Sequence, residues 1–159
     1  MRQIEPVLRD DGRQSAIVRD VQRGVLRHLA ALGAFGIPEF TLVSGRRADI
    51  IAVDPRGEIL IVEIKSCLAD FRADRKWPDY RAFCDRLAFA VAPNFPLDVL
   101  PEEAGLLVAD AFGAQWLREA PCHPLPAATR KALLVRLSRT AAARLSALYD
   151  PDLLRADPL

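Results

Sequence analysis

Residues 47–65 read RADIIAVDPRGEILIVEIK, and how this stretch alternates decides the fold. Ile- and Val-rich runs flank Asp54-Pro55-Arg56-Gly57. Such residues suit a pleated, half-buried surface. Between them, Asp, Pro and Gly stand where a type I turn ending in a left-handed residue wants them. Residues 47–54 and 58–65 are therefore expected to form two strands of a tight antiparallel hairpin. In the second strand Leu60, Val62 and Ile64 share one face, and Ile59, Ile61, Glu63 and Lys65 share the other. In the first, Asp49 lies on a face with Ile51 and Val53. If Asp54 and Glu58 close a three-residue loop, Asp49 falls directly across from Glu63. A two-residue loop would put the two carboxylates on opposite faces.

Working outward, Ile17, Val18, Val21, Val25, Leu29 and Leu32 recur at helical spacing, with Gly33 as a stop, so a first helix is expected over about 15–32. Ile37 to Val43 reads as a strand before Ser44-Gly45. After Lys65 the stretch CLADFRADRK reads as a charged loop, followed by a short helix from Trp77 to about Asp85 with Pro78 near its start. Arg86–Ala92, Gly105–Asp110 and Ala114–Arg118 read as strands. A last helix is expected over about 127–148, with a stripe of Leu134, Leu137, Ala141, Leu145 and Leu148. The order is α-β-β-β-α-β and then β-β-α, an α/β class with a mixed sheet, two added short strands and a C-terminal helix. Residues 1–13 read as a short polar leader and 14–159 as a single domain.

The 159 residues suit one domain, and 51% apolar with 27% charged excludes a disordered chain. The 22 Lys+Arg against 21 Asp+Glu leave +1, which excludes a protein that grips nucleic acid by bulk charge. No apolar run reaches the roughly 18 residues of a membrane span, and the first residues hold no signal-peptide core. Three sparse cysteines, Cys67, Cys84 and Cys122, read as free thiols of a reducing compartment, so a cytoplasmic location without membrane contact is expected. With His123 they show no zinc-ligand spacing, and no phosphate-cradling glycine motif for a nucleotide cofactor is present.

Two opposed carboxylates have Cβ atoms about 5 Å apart and repel by about 3 kcal/mol at an effective dielectric of 20. A proton, a nearby cation or a metal ion must offset this. Lys65 offers one charge. A hard divalent cation is the other answer, because Mg²⁺ takes one or two carboxylates, keeps several waters and binds phosphate. It would activate a water and stabilise charge on a phosphoryl group. The plain alternative is a structural Glu63–Lys65 salt bridge on a half-exposed sheet face.

Asp49, a turn and Glu63-Ile64-Lys65, after a helix and a first strand, resemble the PD-(D/E)xK superfamily, which includes restriction endonucleases and Holliday-junction resolvases with an αβββαβ core. More specifically, GRRADIIAVDPRGEILIVEIKS followed by DFRADRKWPDYRAFCDRLAFAVAP is similar to the bacterial MmcB-like family associated with DNA repair, over roughly Ile17 to Leu148. The resemblance implies a Mg²⁺- or Mn²⁺-dependent DNA endonuclease acting in DNA repair. Asp49, Glu63 and the Ile64 backbone carbonyl would be metal ligands, with Lys65 the catalytic lysine. Ala48 stands where the motif has proline. Gln22 stands where resolvase-like members carry a first-helix Glu, so the accessory place falls to Gln22 or to Glu39. A catalytically inactive module of the same fold that binds DNA structure or a repair partner is the alternative. DNA, other repair proteins and a second copy of the chain are the expected partners, since a small domain of this class often needs another subunit to cut both strands.

Arg46, Arg47, Arg72, Arg75 and Lys76 flank the expected site and read as a phosphate-contacting rim or as ordinary solvated charge. Trp77 and Tyr80 would stack on bases or pack. Residues 120–149 carry Arg130, Lys131, Arg136, Arg139 and Arg144 and no acid, with Lys131, Arg136 and Arg139 opposite the leucine stripe. This is a solvated face or a DNA-backbone contact.

Overall fold

The computed structural model describes residues 15–153; the leader read over 1–13 lies outside them. Helix α1 spans Ala16–Ala31. Ser15 caps it, its side-chain oxygen accepting from the Val18 N–H at 3.3 Å. Gly33, at φ +78°, turns the chain out of the helix in a conformation other residues rarely adopt. Strands β1 (Phe35–Thr41), β2 (Arg47–Val53) and β3 (Ile59–Lys65) follow, then a short α2 (Leu68–Ala73) and a 3₁₀ helix (Trp77–Phe83). Strands β4 (Arg86–Val91), β5 (Gly105–Ala109) and β6 (Ala114–Arg118) precede α3 (Ala127–Tyr149).

The six strands form one open sheet in the order β1-β2-β3-β4-β5-β6. Pairs β1–β2, β2–β3 and β5–β6 are antiparallel, while β3–β4 and β4–β5 are parallel. The expected α/β class, mixed sheet, element order and C-terminal helix are all present. The β2–β3 register runs from Val53↔Ile59 to Ile50↔Val62. That register is the one a three-residue loop imposes, and Gly57 takes the left-handed position at φ +81°.

Alternation sends the two faces of the sheet into different cores. Ile50, Ala52, Val62, Ile64, Ala88, Ala90 and Leu107 pack with Val21, Val25 and Leu29 of α1. Ile51, Ile59, Ile61 and Leu87 pack on the other face with Tyr80 and Cys84 of the 3₁₀ region and Leu133 of α3. Beside them Phe89, Val91 and Leu106 pack with Phe71 and Trp77. Gly24 lets α1 lie directly on the β5–β6 turn, since a Cβ there would sit 1.9 Å from the Asp110 carbonyl oxygen.

Three expectations need correction. Residues 68–73, read as loop, are helical, because Asp70 ties back to Ser66 and Phe71 packs on Phe89. The helix expected from Trp77 to Asp85 is a 3₁₀ helix ending at Phe83. In α3, Leu133 and Ala147 are the buried residues, whereas Leu145 and Leu148 are exposed. Leu134 and Leu137 of the expected stripe do pack on the sheet core beside Leu133, so only its C-terminal part turns outward; three arginines of the helix bind polar groups at the sheet margin. Arg130 makes two bonds to the Asp85 carboxylate, each 2.6 Å. Arg136 donates to the Thr41 carbonyl at 2.9 Å. Arg144 donates to the carbonyls of Pro38 and Glu39. Arg136 is therefore not on the outer face; Lys131 and Arg139 are exposed.

Candidate active site on the β2–β3 hairpin

Beyond Ile50↔Val62 the backbone ladder between β2 and β3 stops, and side chains take its place. Glu63 Oε1 accepts from the Asp49 N–H at 3.2 Å, and Asp49 Oδ2 accepts from the Ile64 N–H at 2.7 Å. The two carboxylates thus stand across from each other, as the register requires. Each keeps a second oxygen, Glu63 Oε2 and Asp49 Oδ1, with no hydrogen-bond donor among the described residues. Glu63 is 4% exposed. Burial, and then the neighbouring Asp49 charge, push its carboxyl up to about 8. Burial also raises Asp49, against the Ile64 hydrogen bond.

Lys65 lies one pleat repeat further on β3, on the Glu63 face, and is 5% exposed. Its ammonium does not pair with Glu63: it donates to Asp74 Oδ2 at 2.6 Å. Burial alone would lower Lys65, but the Asp74 hydrogen bond and charge outweigh it, so Lys65 is raised above the ordinary lysine value and stays charged. Asp74 is correspondingly lowered, its desolvation overcome by Lys65 and the backbone N–H groups of Lys76 and Trp77.

The rest of the expected set is scattered around this pair. Glu39, left-handed at φ +50°, aligns with Asp49 through Pro38↔Ile50 and Phe40↔Ala48, and its carboxylate lies 3.7 Å from Arg47. Gln22 belongs to α1, which packs on the opposite face from Glu63; its Nε2 is buried without a hydrogen-bond partner. Gln22 is thus not brought to the carboxylates, because β3 alternation sends Glu63 away from α1. Arg46 pairs with Asp79 at 2.6 Å. Tyr80 is buried and donates to the Arg47 carbonyl at 2.9 Å. Burial, then the Glu63 charge, push its phenol upward, so it stays protonated. Trp77 packs edge-on against Phe89, centroids 5.4 Å apart. Both aromatic rings are packed inward rather than presented as stacking platforms. Arg72, Arg75 and Lys76 are exposed at the lip formed by α2 and the 3₁₀ helix.

Sequence reading missed Asp70 and Asp74. Asp70 accepts from the Ser66 N–H at 3.0 Å and its hydroxyl at 3.2 Å, and its charge reaches both Asp49 and Lys65. Their four-residue spacing in DFRAD was the available signal, hidden because the segment read as loop. A half-open cleft of about 300 Å³ lies instead at the hairpin tip, lined by Leu29, Leu32, Leu60, Arg86 and Trp116, at the other end of β2 and β3.

A divalent cation fits the donor set in kind. Two carboxylates each keep an open oxygen, and the nearby Lys65 ammonium is already taken by Asp74. Among the described residues no group of three or more His, Cys, Asp or Glu is placed to hold an ion, so water and phosphate would complete its shell.

The model of the MmcB-like family, described as DNA repair protein MmcB-like, matches residues 5–152. The chain belongs to the MmcB-like family. Among solved structures it is similar to SPO1766, a protein of unknown function from Silicibacter pomeroyi. The two are 44% identical, with 88% of this chain and 96% of that one covered and a TM-score of 0.84. A search of the curated proteins finds no match. Among the described residues no helix is long and apolar enough to cross a membrane.

Proposed function

We propose that this MmcB-like protein hydrolyses DNA phosphodiester bonds with the help of Mg²⁺ or Mn²⁺, as a repair endonuclease. The observation that carries the reading is the buried opposition of Asp49 and Glu63, with Lys65 on the Glu63 face. Asp49, Glu63 and the Ile64 carbonyl would hold the cation, which supplies an activated water and charge stabilisation at the phosphoryl group. In the reaction a water gives up one proton to solvent as its oxygen bonds to phosphorus, the bond to the leaving sugar oxygen breaks, and that oxygen takes up a proton from solvent. Lys65 remains an ammonium, so it acts as a hydrogen-bond donor to the charge building in the transition state rather than as a base. Arg72, Arg75 and Lys76 would contact phosphates along the lip. The family description supports a DNA substrate.

The test is thermal unfolding with and without about 5 mM Mn²⁺, joined to cleavage of branched and single-stranded DNA. A Kd near 0.1 mM adds about 2.3 kcal/mol, which raises Tm by roughly 5–9 °C for a chain of this size. The wild type should show this shift, Asp49→Asn should abolish it, and Lys65→Ala should lose cleavage while keeping DNA. Equal shifts in both proteins, with no cleavage, would overturn the reading. The absence of an acid at Gln22 favours one alternative, a non-catalytic DNA-binding module. It predicts salt-sensitive binding that Asp49→Asn and Lys65→Ala leave unchanged.

A further inference from the structure

We infer that Asp74 is a positioning residue, which holds the Lys65 ammonium off the Asp49–Glu63 pair and so keeps that pair open to a cation. The inference rests on the metal-dependent reading above and deepens it. Lys65 and Glu63 are side-chain neighbours on one strand face, both about 5% exposed. Left alone in that low-dielectric setting, a lysine would turn to the carboxylates and neutralise them. It does not, because Asp74 binds its Nζ at 2.6 Å.

The position of Asp74 is itself built in. Its Oδ1 accepts from the Lys76 N–H at 3.0 Å, which fixes the carboxylate at the entry to the 3₁₀ helix. Upstream, Asp70 ties α2 to Ser66, directly after Lys65. Phe71 and Trp77 then lock the segment from both sides, each packing edge-on against Phe89 with centroids at 5.6 and 5.4 Å. Phe89 is the β4 partner of Glu63 in the sheet register. The aromatic cluster therefore ties α2 and its carboxylate to the part of the sheet that carries Glu63. The sequence from Ser66 to Trp77 closes a loop whose effect is to keep one ammonium in place.

Two consequences follow. Once freed, Lys65 competes with a cation for the carboxylate oxygens; and its ammonium is no longer held at a fixed point beside them. Simple loss of a negative charge near the site would also weaken cation binding, so a single substitution does not decide the matter. A double-mutant cycle does.

Mn²⁺ affinity is measured by titration calorimetry on the full chain for wild type, Asp74→Asn, Lys65→Met and the double variant, with Tm recorded for each. Asp74→Asn should weaken Mn²⁺ about tenfold. Lys65→Met should change affinity little in the wild-type background and restore most of the loss in the Asp74→Asn background. Independent electrostatic effects would instead give Lys65→Met the same effect in both backgrounds. That additive result overturns the role of Asp74 while leaving the metal site standing. A wild type that binds no Mn²⁺, with or without an oligonucleotide, overturns both. If Lys65→Met does not fold, Lys65→Gln closes the same cycle. On cleaved DNA, Asp74→Asn should lower kcat at least tenfold with KM within about twofold, and Asp74→Glu should recover part of kcat; a purely structural role would move Tm and leave kcat of the folded fraction unchanged.

Discussion

Glu63 faces Asp49 inside the sheet with its nearest cation held by another acid, and this shapes what a substitution there does. Its carboxyl is raised to about 8, so without metal the folded protein keeps a proton that the unfolded chain releases near 4.5. Folding stability from this group is complete at low pH and is lost as pH rises through about 8. Glutamine keeps the oxygen that accepts the Asp49 N–H and never ionises. Glu63→Gln should therefore match the wild type at pH 4. Above pH 8 in metal-free buffer it should be more stable, by up to about 5 kcal/mol, with a correspondingly higher Tm. Unfolding scans across that range check the sign; a destabilised variant at high pH would remove the repulsion argument. In the same variant the Mn²⁺ shift should disappear.

Among the elements, α3 and the segment from α2 to the 3₁₀ helix divide the basic residues between two uses. Arg136 and Arg144 satisfy carbonyls of the edge strand β1, which protects that edge from pairing with another chain. Arg72, Arg75 and Lys76 are exposed on the segment around Asp74, the partner of Lys65. Alanine at Arg136 or Arg144 should cost about 1–2 kcal/mol in urea unfolding, because carbonyls lose donors, and should leave DNA affinity unchanged for the folded protein. Alanine at Arg72, Arg75 or Lys76 should leave stability within about 0.5 kcal/mol. Each should weaken DNA binding and lower the salt slope by about one. The reverse pattern would move the DNA track to α3.

At the scale of the molecule, Asp85 joins three parts of the chain. Its carboxylate accepts from the Ile59 N–H at the start of β3, the Leu125 N–H before α3, and Arg130 within it. It is 1% exposed. Desolvation opposes its charge, but the Arg130 and backbone hydrogen bonds win and hold its carboxyl below the usual aspartate range. A lowered acid contributes stability that is complete above the unfolded value near 3.8 and is lost as pH falls through the folded one. Asp85→Ala should cost about 3–5 kcal/mol at neutral pH by leaving Arg130 and two amides without their acceptor. The gap between wild type and Asp85→Asn in urea unfolding should narrow steadily below pH 4. A constant gap would mean that shape rather than charge carries the junction.

Local chemistry alone was enough for much of this. The Asp-Pro-Arg-Gly turn selects a loop length, loop length sets register, and register places Asp49 opposite Glu63, so half of the candidate site followed from a two-residue period. The span of α1, the stop at Gly33 and the bounds of β2 to β6 are likewise short-range consequences of side-chain type, whereas β1 begins and ends two residues earlier than its sequence suggests. Asp74 was not legible, because its bond to Lys65 depends on Phe71 and Trp77 meeting Phe89, a contact between elements that no local period encodes. Nor was the fate of Gln22, whose face is set by the whole-sheet choice of which side α1 covers. The end of α3 belongs with them: Leu134 and Leu137 pack as the stripe implies, Leu145 and Leu148 do not, and three arginines find partners at distant points of the sheet. Periodicity tells which side chains share a surface, whereas partners for buried charges are chosen only when all the elements are in place, since a charge is satisfied by whatever donor or acceptor the packed fold brings within reach.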